Sequence, residues 1–183
     1  MTKPINTDSI EQATGKSWSD WTTELDAQGA QDMTHPDLAR HLSGLLEGKT
    51  DSPGWWAQSM AVAYEQHTGK RQPGQVADGT YEIAVSKTLA SRRAEAFPQI
   101  VTWLESQTDF NGQTYANARS SETPVRSYWR CDLADGTKFT AAVEDSGNGK
   151  SKLVFTHAAL PSQPAAEAWK EFWRSAFDQL ADI

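Results

Sequence analysis

The sequence predicts an α+β fold: an N-terminal cluster of four short helices packed on a reduced antiparallel sheet, which is wrapped on a long C-terminal helix. Three observations carry this. Helix punctuation (Ser, Thr or Pro ahead of a 3.6-residue apolar period, Gly behind it) recurs through residues 8–69. Runs of period-two alternation then follow, separated by turns rich in Gly and Asn. A wide aromatic stripe at helical spacing closes the chain. The domain boundary is placed between residues 76 and 77, giving a helical domain over 1–76 and a sheet domain over 77–183.

The first helix is predicted over 8–14 and stops at Gly15. Ser17 caps a second, with Asp20 three residues on in the acidic form of a capping box. Trp18, Trp21 and Leu25 make its apolar face, and Gly29 ends it. Thr34 caps a third helix, with Pro36 and Asp37 in its first turn and Leu38, Leu42, Leu45 and Leu46 as its stripe. Ser52-Pro53 opens a fourth that carries Trp55, Trp56, Met60, Val62, Ala63 and Tyr64. Its apolar groups lie on more than one side, which marks it as the buried centre of this half. Helices this short are marginal alone in water, so packing of the stripes must hold them. The segment KRQPGQVADGT, residues 70–80, reads as a loop.

Tyr81, Ile83, Val85 and Leu89 then sit at strand spacing, with Lys87 facing as Val85 does. Ser91 is a candidate cap for a helix holding Ala94, Phe97, Ile100, Val101 and Leu104. Pro98 should split or kink that helix near Phe97. An edge strand is predicted over 115–120. Three strands follow at 125–133, 137–144 and 152–157, joined by turns at Ala134-Asp135-Gly136 and Gly147-Asn148-Gly149. Hairpin links imply an antiparallel meander. From Ser162 and Pro164 a helix runs to about Ala181. Trp169, Phe172, Trp173, Ala176, Leu180 and Ile183 form its stripe, with Phe177 at the margin.

Composition narrows the function classes. Eight tryptophans in 183 residues call for a generous aromatic core. The net charge of −7 argues against nucleic acid and against an anionic membrane surface, both of which need a clustered basic face. No stretch approaches the ~20 apolar residues that span a bilayer, and the N-terminus has no apolar signal region. A lone cysteine, Cys131, fits a reducing compartment. The expectation is a soluble, cytoplasmic, bacterial-type protein.

Catalytic signatures are missing. His35, His41, His67 and His157 show no metal-ligand spacing, so no metal and no cofactor are expected. Gly147-Asn148-Gly149-Lys150 lacks the spacing of a phosphate loop, and no G-x-S-x-G elbow occurs. Cys131 shares a face with Trp129 and Leu133, the setting of an inert buried thiol. No catalytic residue is assigned, and an enzyme of hydrolase or cyclase type is the weakest reading.

The order strand, broken helix, meander, long helix resembles the helix-grip (START or SRPBCC) superfamily. KSKLVFTHAALPS followed by EAWKEFWRSAFDQL resembles the end of its heat-shock-chaperone-ATPase-activator-like branch. The carrying residues are His157, Leu160, Pro161, Trp169, Trp173 and Leu180, and YEIAVSKTL is similar to that branch's first strand. Ahead of it, TGKSWSDW, MTHPDLARHL and WWAQSMAVAYEQHTGKRQPGQ resemble the helical segment of an uncharacterised bacterial family. The sheet half is shorter than the usual helix-grip domain, which implies fewer strands and a smaller cavity.

Two candidate sites follow. In the first, the sheet and last helix enclose a small apolar pocket lined by Trp129, Phe139, Phe155, Trp169 and Trp173, with His157 at its mouth. The second groups Trp55, Trp56, Gln58, Glu65 and Arg71 into a cleft for a polar ligand. Its plainer alternative pairs Arg71 with Glu65 to lock the loop while the tryptophans fill core. The leading function is binding of a small apolar ligand. A protein-interaction role, chaperone-linked by the branch resemblance, stands beside it.

Overall fold

A computed structural model describes residues 4–180 of the chain. Among the described residues the fold is α+β: six α-helices, the last of them following five strands in one antiparallel sheet. The chain divides after Gly79 into two compact units.

The first unit contains α1 (Thr7–Thr14), α2 (Trp18–Ala27), a 3-10 turn (Ala30–Asp32), α3 (His35–Leu46) and α4 (Pro53–His67). Side chains close three of the N-termini. Asn6 accepts from the Asp8 N–H, Ser17 from Asp20 and Thr34 from Asp37, each worth about 1 kcal/mol. Gly15 adopts φ 69°, the left-handed conformation that ends α1 with little strain. Ile10, Trp21, Leu25, Leu38, Leu42, Leu46, Met60 and Tyr64 form one buried cluster. Each large aliphatic in it contributes roughly 1.5–3 kcal/mol of burial. Two polar anchors complete the cluster: Trp21 Nε1–H donates to Thr14 Oγ1 at 3.0 Å, and the Tyr64 hydroxyl donates to Asp26.

The second unit contains β1 (Tyr81–Leu89), α5 (Arg93–Ser106), β2 (Tyr115–Glu122), β3 (Arg126–Leu133), β4 (Lys138–Gly147), β5 (Lys150–Leu160) and α6 (Gln163–Ala176). A 3-10 turn, Phe177–Leu180, follows α6. The sheet order is β1-β5-β4-β3-β2, so the last four strands form a meander and β1 joins its far edge. Register pairs large with small on the inner face: Trp129 opposes Ala141, and Ala141 opposes Phe155. One row along, Cys131 opposes Phe139, which opposes His157. Ala96, Phe97, Ile100 and Leu104 of α5 and Trp169, Trp173 and Ala176 of α6 join these residues in one buried cluster.

Several element expectations need correction. Pro98 does not split α5, which runs unbroken. Proline there removes the bond to one carbonyl, four residues back, and the apolar face of α5 stays buried around it. Ser91 is not the cap of α5; Arg92 is, without a side-chain bond. Instead Asp145, from β4, accepts from the Arg93 backbone N–H at 2.9 Å. The final helix ends at Ala176 rather than near Ala181, because its last turn tightens. Lys87 Nζ donates to the Phe177 and Leu180 carbonyls at 2.6 and 3.3 Å, satisfying that helical end with a cation. Ala181 and Ile183 lie outside the described residues.

Candidate functional site

In the second unit, all six residues of the predicted pocket come together, and they form a closed aromatic core. Trp129, Phe139, Phe155, His157 and Trp173 have no exposed surface, and Trp169 retains 6%. Phe139 stacks on Trp173 with ring centroids 4.0 Å apart, Phe155 meets Trp173 edge-on at 5.3 Å, and Trp169 lies 4.2 Å from His157. Rings at these separations fill the space between them. His157 is therefore not at a pocket mouth.

Its imidazole is held from both sides. Trp173 Nε1–H donates to Nδ1 at 3.0 Å, so the proton of the neutral ring is on Nε2. That Nε2–H donates to Thr137 Oγ1 at 2.7 Å, and the Thr137 hydroxyl donates to Asp135 Oδ1 at 2.6 Å. Burial pushes the His157 pKa down to about 4, against the nearby Asp135 charge. The ring is neutral near pH 7 and fully engaged, which suits a structural lock and not proton transfer. Burial likewise pushes the Cys131 thiol up to about 12, so it is no nucleophile.

The aromatic core meets solvent at a cleft of about 260 Å³ beside α5 and α6. Trp103 and Phe172, both half-buried, flank Phe110, with Gln107, Asp109, Asn111, Ser175 and Gln179 at the rim. Phe110 continues into the core: its ring is 5.2 Å from Trp173 and 6.3 Å from Trp129. Trp103 stacks toward Phe155 at 6.4 Å. A tight turn presents Phe110. Phe110 and Gln113 exchange two backbone bonds of 2.9 Å, Asn111 takes φ 52°, and the Gly112 N–H donates to Asp109 Oδ1. Trp103, Phe110 and Phe172 are absent from the predicted site, Phe172 having been placed only on the stripe of the last helix. The Asn111-Gly112 turn signal was the clue that an aromatic is fixed there.

In the first unit, Glu65 and Arg71 do come together, and His35 joins them. Glu65 Oε2 lies 2.7 Å from Arg71 Nε, and Oε1 lies 3.0 Å from His35 Nδ1. Gln58 Oε1 is 3.0 Å from His35 Nε2. The Glu65 and Arg71 side chains are only 10% and 12% exposed. A cavity of about 320 Å³ opens beside them, lined also by Met33, Lys70, Gln75 and Val76. The two tryptophans do not belong to it. Trp55 is 64% exposed and Trp56 half-buried, the pair meeting edge-on at 4.7 Å. They start α4, whereas Glu65 lies near its far end, so helix length separates them. Of the core-filling role in the plainer alternative, Trp56 keeps a part, packing half-buried against the first unit's cluster, while Trp55 does not. The loop-locking half of that alternative, Arg71 paired with Glu65, matches the geometry. His35 was missed because it lies 30 residues from Glu65 in sequence; Lys70 and Gln75 adjoin Arg71 but were read only as part of the connecting loop.

Compared with models of known protein families and with curated proteins, the chain matches none. Among the described residues, no group of three or more His, Cys, Asp or Glu is placed to hold a metal ion. No described helix is long and apolar enough to cross a membrane.

Proposed function

We propose that the second unit is a helix-grip-type module that binds a small aromatic or apolar compound in the cleft beside α5 and α6. One observation supports this above others: there the half-buried rings of Trp103 and Phe172 line a cavity beside the buried Phe110, at the margin of the otherwise closed aromatic core. A polar rim of amides, a hydroxyl and the Asp109 carboxylate supplies orientation, the usual division of labour in a ligand pocket. At about 260 Å³ the cleft suits a compound of one or two rings, since drug-sized ligands need ~300 Å³ or more. The order of strand, helix, meander and closing helix supports the helix-grip reading.

The test is saturation-transfer NMR on the full chain with a panel of mono- and bicyclic aromatics. At least one compound binds, and Phe172→Ala weakens it about tenfold, the scale of losing one aromatic contact. A panel without a binder, or binding indifferent to both Phe172→Ala and Trp103→Ala, defeats the proposal.

A protein-interaction role has one observation in its favour, in the first unit. Trp55 is a large exposed aromatic braced by Trp56, and such tryptophans anchor interfaces.

A further inference from the structure

We infer that the cavity formed by His35, Glu65, Lys70, Arg71 and Gln75 is a binding site for the oxyanion of a small soluble molecule, a carboxylate or a phosphate monoester. This site is separate from the aromatic cleft and stands on its own geometry.

The charge around it is the first reason. Lys70 and Arg71 face one carboxylate, Glu65, so the lining carries a cationic excess even with His35 neutral. The chain as a whole is at −7. A locally cationic cavity concentrates anions even on a chain that is acidic overall.

Pre-organisation is the second. Glu65 holds Arg71 by Nε, and Arg71 Nη2 lies 3.4 Å from His35 Nδ1. One edge of the guanidinium is thereby turned to the protein, which leaves the Nη1 side of the fork to meet a ligand. A planar fork held this way recognises an oxyanion at small entropic cost. The Arg71 backbone N–H also donates to the Glu65 carbonyl at 3.1 Å, fixing the loop to the end of α4. Lys70 Nζ donates to the Met33 carbonyl at 3.3 Å, which leaves it two further protons.

The loop that carries Arg71 is internally bonded as well. Gln75 Oε1 accepts from the Gln72 N–H, and its Nε2–H donates to the Gly79 carbonyl, both at 2.9 Å. Gly74 and Gly79 take φ 84° and 87°, which lets the loop curl back on itself. A loop of this composition ordinarily moves; here one amide staples both of its ends. A nearly buried Glu–Arg pair carries a desolvation cost that an apolar pair would avoid. Placing that pair at a cavity wall of about 320 Å³ puts a fixed guanidinium where a ligand can reach it.

The experiment is a ¹⁵N–¹H correlation titration of the full chain with succinate, with glycerol 3-phosphate, and with succinamide and glycerol as uncharged controls. At least one anion, at up to about 10 mM, a range that detects weak binding, moves the signals of residues 70–79 and of Arg71 Nε–H, and the controls do not. Which anion acts names the head group. Lys70→Ala weakens that binding several-fold, and Arg71→Lys weakens it about tenfold because the fork is lost. If Arg71→Lys unfolds the chain, Lys70→Ala and Lys70→Glu decide the matter, since Lys70 is exposed. The inference is overturned if neither anion moves those signals, if the uncharged controls act equally, or if the folded variants bind as the parent does.

Discussion

His157 sits against Trp169 and Trp173 with both ring nitrogens engaged, and its low pKa of about 4 makes it a stability switch. Above pH 6.5 the ring is neutral in folded and unfolded chains alike, so it adds no pH dependence. Between pH 6.5 and about 4 the unfolded chain takes up a proton that the folded one refuses. Stability therefore falls as pH falls, by up to about 3 kcal/mol once pH drops below the folded value. Urea unfolding at pH 7 and pH 4.5 checks this. Other carboxylates shift the curve too, so the comparison is made against His157→Gln, which lacks this component. Thr137→Val leaves the Nε2–H without its acceptor and should cost about 1–3 kcal/mol in the same assay. Cys131 should resist a thiol reagent until denaturant opens the core, as burial raises its pKa to about 12. The sequence showed Cys131 among apolar neighbours on one strand face, and the inert thiol was legible from that. The burial of His157 was not, because period-two alternation reveals which face a residue shares and not how deep that face lies.

Helix α6 shows how far periodicity reaches. Trp169, Trp173, Ala176 and Leu180 fall on its predicted stripe, and all are buried. Trp173→Ala removes the ring that stacks on Phe139 at 4.0 Å and caps His157. It should cost about 3–5 kcal/mol, read as a lowered denaturation midpoint. Helix α5 shows where local rules fail. Pro98 is exposed and inside a continuous helix, so Pro98→Ala restores a backbone bond at no packing cost. It should raise stability by roughly 1–3 kcal/mol, less the entropy the freer unfolded chain regains. An unchanged or lowered melting temperature contradicts that reading. Proline alone predicted a split or a kink; burial of Phe97, Ile100 and Leu104 overrides the split. The cap of α5 was also illegible, because Asp145 lies 52 residues away in sequence. Caps that were read correctly, Ser17 and Thr34, are bonded three residues on.

At the scale of the whole molecule, each unit has its own buried cluster. The aromatic census called for a generous aromatic core. What it did not foretell is that filling leaves no room for the predicted pocket among Trp129, Phe139, Phe155, Trp169 and Trp173. Eight tryptophans announce area to bury, and only ring geometry says whether a void is left. The proposed ligand cleft accordingly moves outward, to Trp103, Phe110 and Phe172. Indole N–H signals report on this directly, since Trp103 lines the cleft while Trp129 and Trp173 lie beneath it. The decisive measurement follows those signals during titration with a bicyclic aromatic found in the binding panel. The account predicts that the Trp103 signal moves with ligand while that of Trp173, bonded to His157, keeps its place. A Trp173 signal that moves or broadens with a still Trp103 would mean the ligand enters the core, and the closed interior described here would be wrong.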